Sequence, residues 1–197
     1  MDDLLFSFSH EDLGLRFKAA LLSRFDATDD GPVQKFVGID ITEDAYTTHI
    51  SQTQLAESLL KDFNMLDCNS VKTPLELNTL LTAHAPGDDE QHVDQEQYQH
   101  LVGTLLYLTV WTRPDLVFAT HQLAKWSHDP HWKHWLAARR VLRYLKGTKD
   151  IGITYSKGLP NANRLLSWAD ADWAACKATR SSTLGYISTL NGGALTW

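Results

Sequence analysis

The sequence predicts a mixed α/β (α+β) chain, and three observations carry that prediction. Apolar residues recur at a 3.6-residue spacing in stretches near residues 11–25, 52–64 and 94–146. The spacing changes to two-residue alternation after Gly147. Between the first two helical stretches lies a β-rich run, Phe36-Val37-Gly38-Ile39-Asp40-Ile41. With 197 residues, 43% of them apolar and seven tryptophans, the chain has material for a packed core.

Taken in order, residues 4–8 alternate weakly and read as a short strand. A helix over 11–25 follows, with Ser9 as N-cap, Glu11-Asp12 at its positive end and Leu13, Phe17, Ala20 and Leu21 on its stripe. Residues 26–32 break it. The run 36–41 turns at Glu43-Asp44 into Tyr46-Thr47-Thr48-His49-Ile50, which makes a hairpin. Ser51-Gln52-Thr53-Gln54 reads as a capping box opening a helix to about Asn64. Residues 65–93 are linker-like, broken by Thr73-Pro74 and Ala85-Pro86-Gly87.

Asp94 caps a helix through Leu101, Leu105 and Leu108. Thr112-Arg113-Pro114-Asp115 ends it and caps the next, to about Ser127, with Thr112 and Asp115 bonding reciprocally. Asp129-Pro130 caps a third helix over 131–146, closed by Gly147. Its polar side carries Lys133, Arg139, Arg140, Arg143 and Lys146. Strands then follow at 151–155, 164–169, 185–190 and 194–197, read as the opening of a second domain near residue 150.

The net charge of −6 is unevenly spread: residues 1–100 hold 19 acidic and six basic side chains, residues 101–197 five and twelve. That pattern suggests one surface for cations and another for a polyanion, against ordinary solvated faces. Cys68 and Cys176 lie far apart, without a CxxC partner, and read as free thiols in a reducing compartment. No apolar run reaches membrane-spanning length and no basic leader precedes Asp2, so the expected location is cytoplasmic or nuclear. His128, His131 and His134 have partial ligand spacing, but no cysteine or acid completes a tetrahedral zinc set.

Several strings, in order, then resemble one family. Met1-Asp2-Asp3-Leu4-Leu5 is similar to the aromatic-x-Asp-Asp turn of reverse transcriptases, less its leading aromatic. Residues 36–41 with Ile50-Ser51-Gln52 resemble the "FLGIEI … ISQ" stretch that follows it in copia-type polymerases. Leu101-Val102-Gly103-Thr104-Leu105-Leu106-Tyr107-Leu108, Thr112-Arg113-Pro114-Asp115 and Arg140-Val141-Leu142-Arg143-Tyr144-Leu145-Lys146-Gly147-Thr148 match the next blocks. Trp168-Ala169-Asp170-Ala171-Asp172-Trp173-Ala174, Arg180-Ser181-Ser182 and Gly192-Gly193-Ala194-Leu195-Thr196-Trp197 match the last. Together they resemble the pol polyprotein of copia-type LTR retrotransposons over nearly the whole chain.

The resemblance implies late palm, primer-contacting hairpin and first thumb helix over 1–64, a linker over 65–93, helical thumb and connection over 94–149, and a truncated RNase H-like sheet over 150–197. It implies that Asp2 and Asp3 are catalytic and bind two Mg²⁺, together with an aspartate from an earlier strand. It assigns Asp170 to the RNase H reaction, with Asp172 beside it as a second metal-binding or structural acid. An acid usual after "DWA" is replaced here by Ala175-Cys176. The remaining carboxylates of both sites are expected from other pol segments, so this chain alone is expected to be inactive. The implied partner is an RNA/DNA template–primer duplex, met by Lys133, Arg139, Arg140, Arg143 and Lys146 at its phosphates. Two alternatives stay open: a non-catalytic nucleic-acid-binding remnant, and a decayed transposon fragment. A solvated face is the plain alternative for the basic helix.

Overall fold

The computed structural model describes residues 3–77, 79, 81–83, 91–158, 163–172 and 182–197. Residues 4–8 form no strand. Among the described residues no strand pairs with their backbone, and an isolated strand leaves those groups unbonded. The segment folds back instead: the Phe6 ring meets Phe17 edge-on at 5.2 Å, and Phe8 covers Gly14. Gly14 lies in α1 (Glu11–Arg24), whose N-cap is His10 rather than Ser9. Leu13 and Phe17 of the expected buried stripe remain half exposed.

The run 36–41 is not one strand. β1 (Lys35–Phe36) and β2 (Ile39–Glu43) pair antiparallel, with Phe36 opposite Ile39. The two residues between them, Val37 and Gly38, have φ of 42° and 77°. That is the doubly left-handed geometry of a two-residue hairpin loop, which Gly takes freely and a β-branched residue takes only under strain. The Tyr107 hydroxyl donates to the Val37 carbonyl at 2.5 Å and holds the turn against the helices.

β3 (Thr47–Ser51) completes the expected hairpin, with Asp44 capping its turn through the N–H groups of Tyr46 and Thr47. Ser51 is paired with Asp40 in the ladder, so the Ser51–Gln54 capping box does not form. Gln52 is the N-cap of α2 (Thr53–Asp62), and its side-chain oxygen accepts from Thr112 Oγ1 at 2.8 Å. Two residues past the end of α2 comes Asn64, whose φ is 54°. The Asn64 N–H bonds the Lys61 carbonyl and the Met65 N–H bonds that of Leu60, which closes the helix end as a Schellman motif.

α3 (Gln95–Trp111) starts as expected: the Asp94 carboxylate accepts from the N–H groups of Glu96 and Gln97. A 3₁₀ turn (Pro114–Leu116) leads into α4 (Val117–Ala124), which ends before Ser127; the Ser127 carbonyl accepts from the side chains of Gln95 and Gln99. α5 (Trp132–Gly147) is capped by His131, not Asp129. The core is the seam of α2, α3, α4 and α5. Leu59, Leu60, Leu101, Leu105, Leu142 and Leu145 are fully enclosed there, each stabilising by about 1.5–3 kcal/mol through removal from water.

After α5 the chain returns to the hairpin. β4 (Ile153–Ser156) pairs antiparallel with β3, giving a four-stranded sheet in the order β1-β2-β3-β4. The strand expected to open a second sheet therefore closes the first. The second sheet consists of β5 (Leu166–Ala171), β6 (Leu184–Leu190) and β7 (Gly193–Thr196), in that order. β6 and β7 turn at Asn191-Gly192, again with two positive φ angles. The sheets meet where β7 crosses β4. The Tyr155 hydroxyl donates to the Ala194 carbonyl at 2.6 Å, and a Cβ on Gly193 would fall 2.5 Å from the Tyr155 ring. Trp197 Nε1 donates to the Thr109 carbonyl at 2.7 Å and ties the end of the chain to α3. No helix of the described residues is long and apolar enough to cross a membrane.

Candidate functional site

Asp3 lies in irregular chain and is exposed; Asp2 lies outside the described residues. Asp170 sits on β5 opposite Gly185, and Asp172 follows two residues on. The Asp172 N–H bonds the Thr183 carbonyl, which prolongs the β5–β6 pairing, so the two acids point to one face. Both carboxylates are already used locally. Asp170 Oδ1 accepts from the Ala171 N–H at 3.0 Å, and Asp172 Oδ1 from the Thr183 N–H at 2.6 Å. Among the described residues, no group of three or more His, Cys, Asp or Glu side chains converges to hold a metal ion. Mg²⁺ requires near-octahedral oxygen coordination, and the described carboxylates by themselves do not fit that ion. Trp173–Ala175 and Cys176 lie outside the described residues, as does Arg180.

The basic helix α5 faces the irregular segment that precedes α3. Lys133 Nζ donates to Thr82 Oγ1 at 3.0 Å and to the Ala83 carbonyl at 2.9 Å. Arg140 pairs with Glu76 at 2.9 Å and donates to Thr73 Oγ1 at 3.1 Å. Arg143 Nε donates to the Asn69 carbonyl at 2.7 Å, and Arg139 Nη2 approaches Met65 Sδ at 3.6 Å. Lys146 is partly exposed. The described residues of the linker up to 83 thus form a strap laid along the helix, and Met65 and Val93 are buried. Sequence reasoning missed Asn69, Thr73, Glu76 and Thr82 as the partners of these cations. The uneven charge was the available signal: Glu76–Arg140, Glu57–Lys149 and Glu43–Lys157 all join the acidic half to the basic half.

The histidines form a structural device. His134 is fully buried, stacks on Trp126 at 4.6 Å and accepts the His131 N–H at Nδ1, 2.9 Å. Its Nε2 lies 2.9 Å from the Thr82 carbonyl, so the ring is neutral with its proton on Nε2. Burial drives its pKa down to about 4.

Arg113 of the Thr112–Asp115 string does not flank a capping box. Thr112 bonds Gln52, and Asp115 is clasped by Arg113 and by the Tyr144 hydroxyl at 2.9 Å. The string serves the junction of α3, α4 and α5, as its position predicts, by a different set of bonds.

Residues 1–77 match the family described as reverse transcriptase (RNA-dependent DNA polymerase). The whole chain is 36% identical to the retrovirus-related Pol polyprotein from transposon RE2 of Arabidopsis thaliana, covering 13% of it. It is 31% identical to the Pol polyprotein from transposon TNT 1-94 of Nicotiana tabacum, covering 15%. It is also 34% identical to the uncharacterized mitochondrial protein AtMg00810 of Arabidopsis thaliana, covering 79% of that protein. No solved structure matches. The chain belongs to the family of retrovirus-related Pol polyproteins of transposons, as a reverse transcriptase segment. It spans roughly one seventh of each of these two polyproteins.

Proposed function

We propose that this chain is part of the RNA-directed DNA polymerase of a copia-type LTR retrotransposon. In this reading it holds the end of the palm, the thumb and connection, and the start of an RNase H domain. The observation that carries the reading is that all 197 residues align with transposon Pol polyproteins. Asp2 and Asp3 then belong to the polymerase centre, and Asp170 with Asp172 to the RNase H centre. In both, Mg²⁺ ions would stabilise the charge that develops during attack on a phosphodiester or triphosphate.

Two carboxylates do not fix a pair of such ions, so each centre draws further carboxylates from other pol segments, and the chain alone is inactive. The partner is a template–primer duplex, contacted at its phosphates without sequence readout. Arg139, exposed on α5, and Lys146, one turn beyond Arg143, are the cations best placed for it.

Primer extension on a poly(rA)/oligo(dT) template tests the reading. The expected result is no extension above that of an Asp2→Ala, Asp3→Ala double variant. Extension that the double variant abolishes would overturn the inactivity of the isolated chain. Joining the chain to an upstream palm segment of the same polyprotein should restore activity, and only with Asp2 and Asp3 intact.

A further inference from the structure

Between α5 and the strap lies a concavity of about 260 Å³. Met65, Cys68 and Leu136 line it with apolar surface, and Arg139, Arg140 and Arg143 supply three guanidinium groups. The three arginines lie within little more than one turn of α5, so their charges are close together. What meets them is incomplete. Among the described residues, Arg139 has a thioether as its partner, and Arg143 a single backbone carbonyl. Arg140 gives one N–H to Glu76 and another to a threonine hydroxyl, while its buried Nε has no acceptor among the described residues. The side chain of Glu76, the one carboxylate ion-paired to these arginines among the described residues, is 69% exposed.

A guanidinium offers a rigid fork of donors that suits a phosphate, which presents several charged oxygens at once. Three guanidiniums facing a single exposed carboxylate are under-matched. An exposed ion pair is weak and easily exchanged for a better-charged partner.

We propose that this concavity binds a backbone phosphate of a nucleic-acid duplex, and that Glu76 is its built-in competitor. The proposal rests on the reading above that the chain meets a template–primer duplex, and it adds the site and its regulation. The strap carboxylate stands at the guanidinium edge that a phosphate takes. Duplex binding displaces Glu76 and leaves the apolar floor covered.

The test is a titration of the full chain with a short RNA–DNA hybrid over a salt series, read by fluorescence anisotropy in a Cys176→Ser background. Glu76→Gln should tighten binding roughly two- to fivefold, the range of an exposed ion pair. Its salt slope should steepen by about one phosphate contact. Arg139→Ala with Arg140→Ala and Arg143→Ala should lose the effect of Glu76→Gln. Where that triple variant does not fold, Arg140→Gln, which removes the guanidinium that Glu76 pairs with, replaces it. A second readout locates the site: the bound duplex should slow alkylation of Cys68 by iodoacetamide, because Cys68 lines the concavity.

Wild-type binding that Glu76→Gln leaves unchanged overturns the competitor role. Binding without protection of Cys68 overturns the location while leaving the duplex reading intact. No binding by any variant sinks the duplex reading, and this inference with it.

Discussion

Arg113 and Asp115 form a two-pronged ion pair two residues apart, with Nε to Oδ1 at 2.9 Å and Nη2 to Oδ2 at 2.7 Å. Arg113 is only 2% exposed, and two further donors go to the carbonyl and hydroxyl of Thr148 at the end of α5. The guanidinium is the joint between the 3₁₀ turn and the last turn of the basic helix. Burial would raise the Asp115 carboxyl, but the bonds and charge of Arg113, with the Tyr144 hydroxyl, outweigh it and hold the group below the usual aspartate range. Replacing Arg113 by Ala should cost about 3–5 kcal/mol, because it strands a half-buried carboxylate. Arg113→Lys should recover only part of that, since an ammonium cannot make the paired contact. Urea unfolding of both variants checks the order.

A pH effect should come from His134. Its pKa of about 4 lies below the ordinary 6.5, so the folded chain resists a proton that the unfolded chain accepts. The groups facing it are Lys133, His131 and Asp129, besides the Thr82 carbonyl. The stabilisation is complete above about pH 6.5 and is lost as pH falls toward 4. Its size is roughly 3 kcal/mol. Thermal melts between those limits should show a slope that flattens in His134→Gln. An unchanged slope would assign the effect to other groups.

The turn at Val37-Gly38 invites a stabilising change. Val37 holds a φ of 42° with a branched side chain, while the matching turn between β6 and β7 uses Asn191 at 52°. Val37→Asn should raise stability by about 1 kcal/mol by relieving that strain. Little burial is lost, because Val37 is 38% exposed. The Tyr107 bond goes to the backbone carbonyl and survives the change. A higher urea midpoint with an unchanged slope is the expected reading.

Trp197 offers a local test of how the second sheet is fastened. Trp197→Phe keeps an aromatic ring but removes the donor to the Thr109 carbonyl. The cost should be about 1 kcal/mol. Amide exchange should quicken in β6 and β7 while α2 and α5 are unaffected, a pattern that uniform destabilisation does not give.

The helices were legible where a cap or a stripe acts locally. Asp94, with two backbone N–H groups in reach, marks the start of α3 without help from the rest of the fold. Ser51 shows the limit: its local capping signal lost to the ladder with Asp40, which only the tertiary pairing supplies. The Asn64 helix stop was readable in principle, since Asn is a common left-handed residue. The strap partners were not readable: Arg143 and Asn69 are 74 residues apart, and Asn69 contributes only its carbonyl. For the acidic pairs, sequence order identified the family, while the metal chemistry proposed for them would need carboxylates that no local pattern brings together.

The pairing of β3 with β4 has a consequence for how the chain folds. His49 and Thr154 sit opposite each other in that ladder, 105 residues apart. Closing so long a loop before any contact rewards it is entropically slow. The four-helix seam lies entirely inside that loop, and its packing brings the two strand ends together. The helical middle is therefore the expected nucleus, and the N-terminal hairpin keeps an open edge until β4 arrives. A ribosome-bound chain that has not yet emitted residue 153 would carry that bare edge, so synthesis itself contains an aggregation-prone interval that ends when the late strand seals the early sheet.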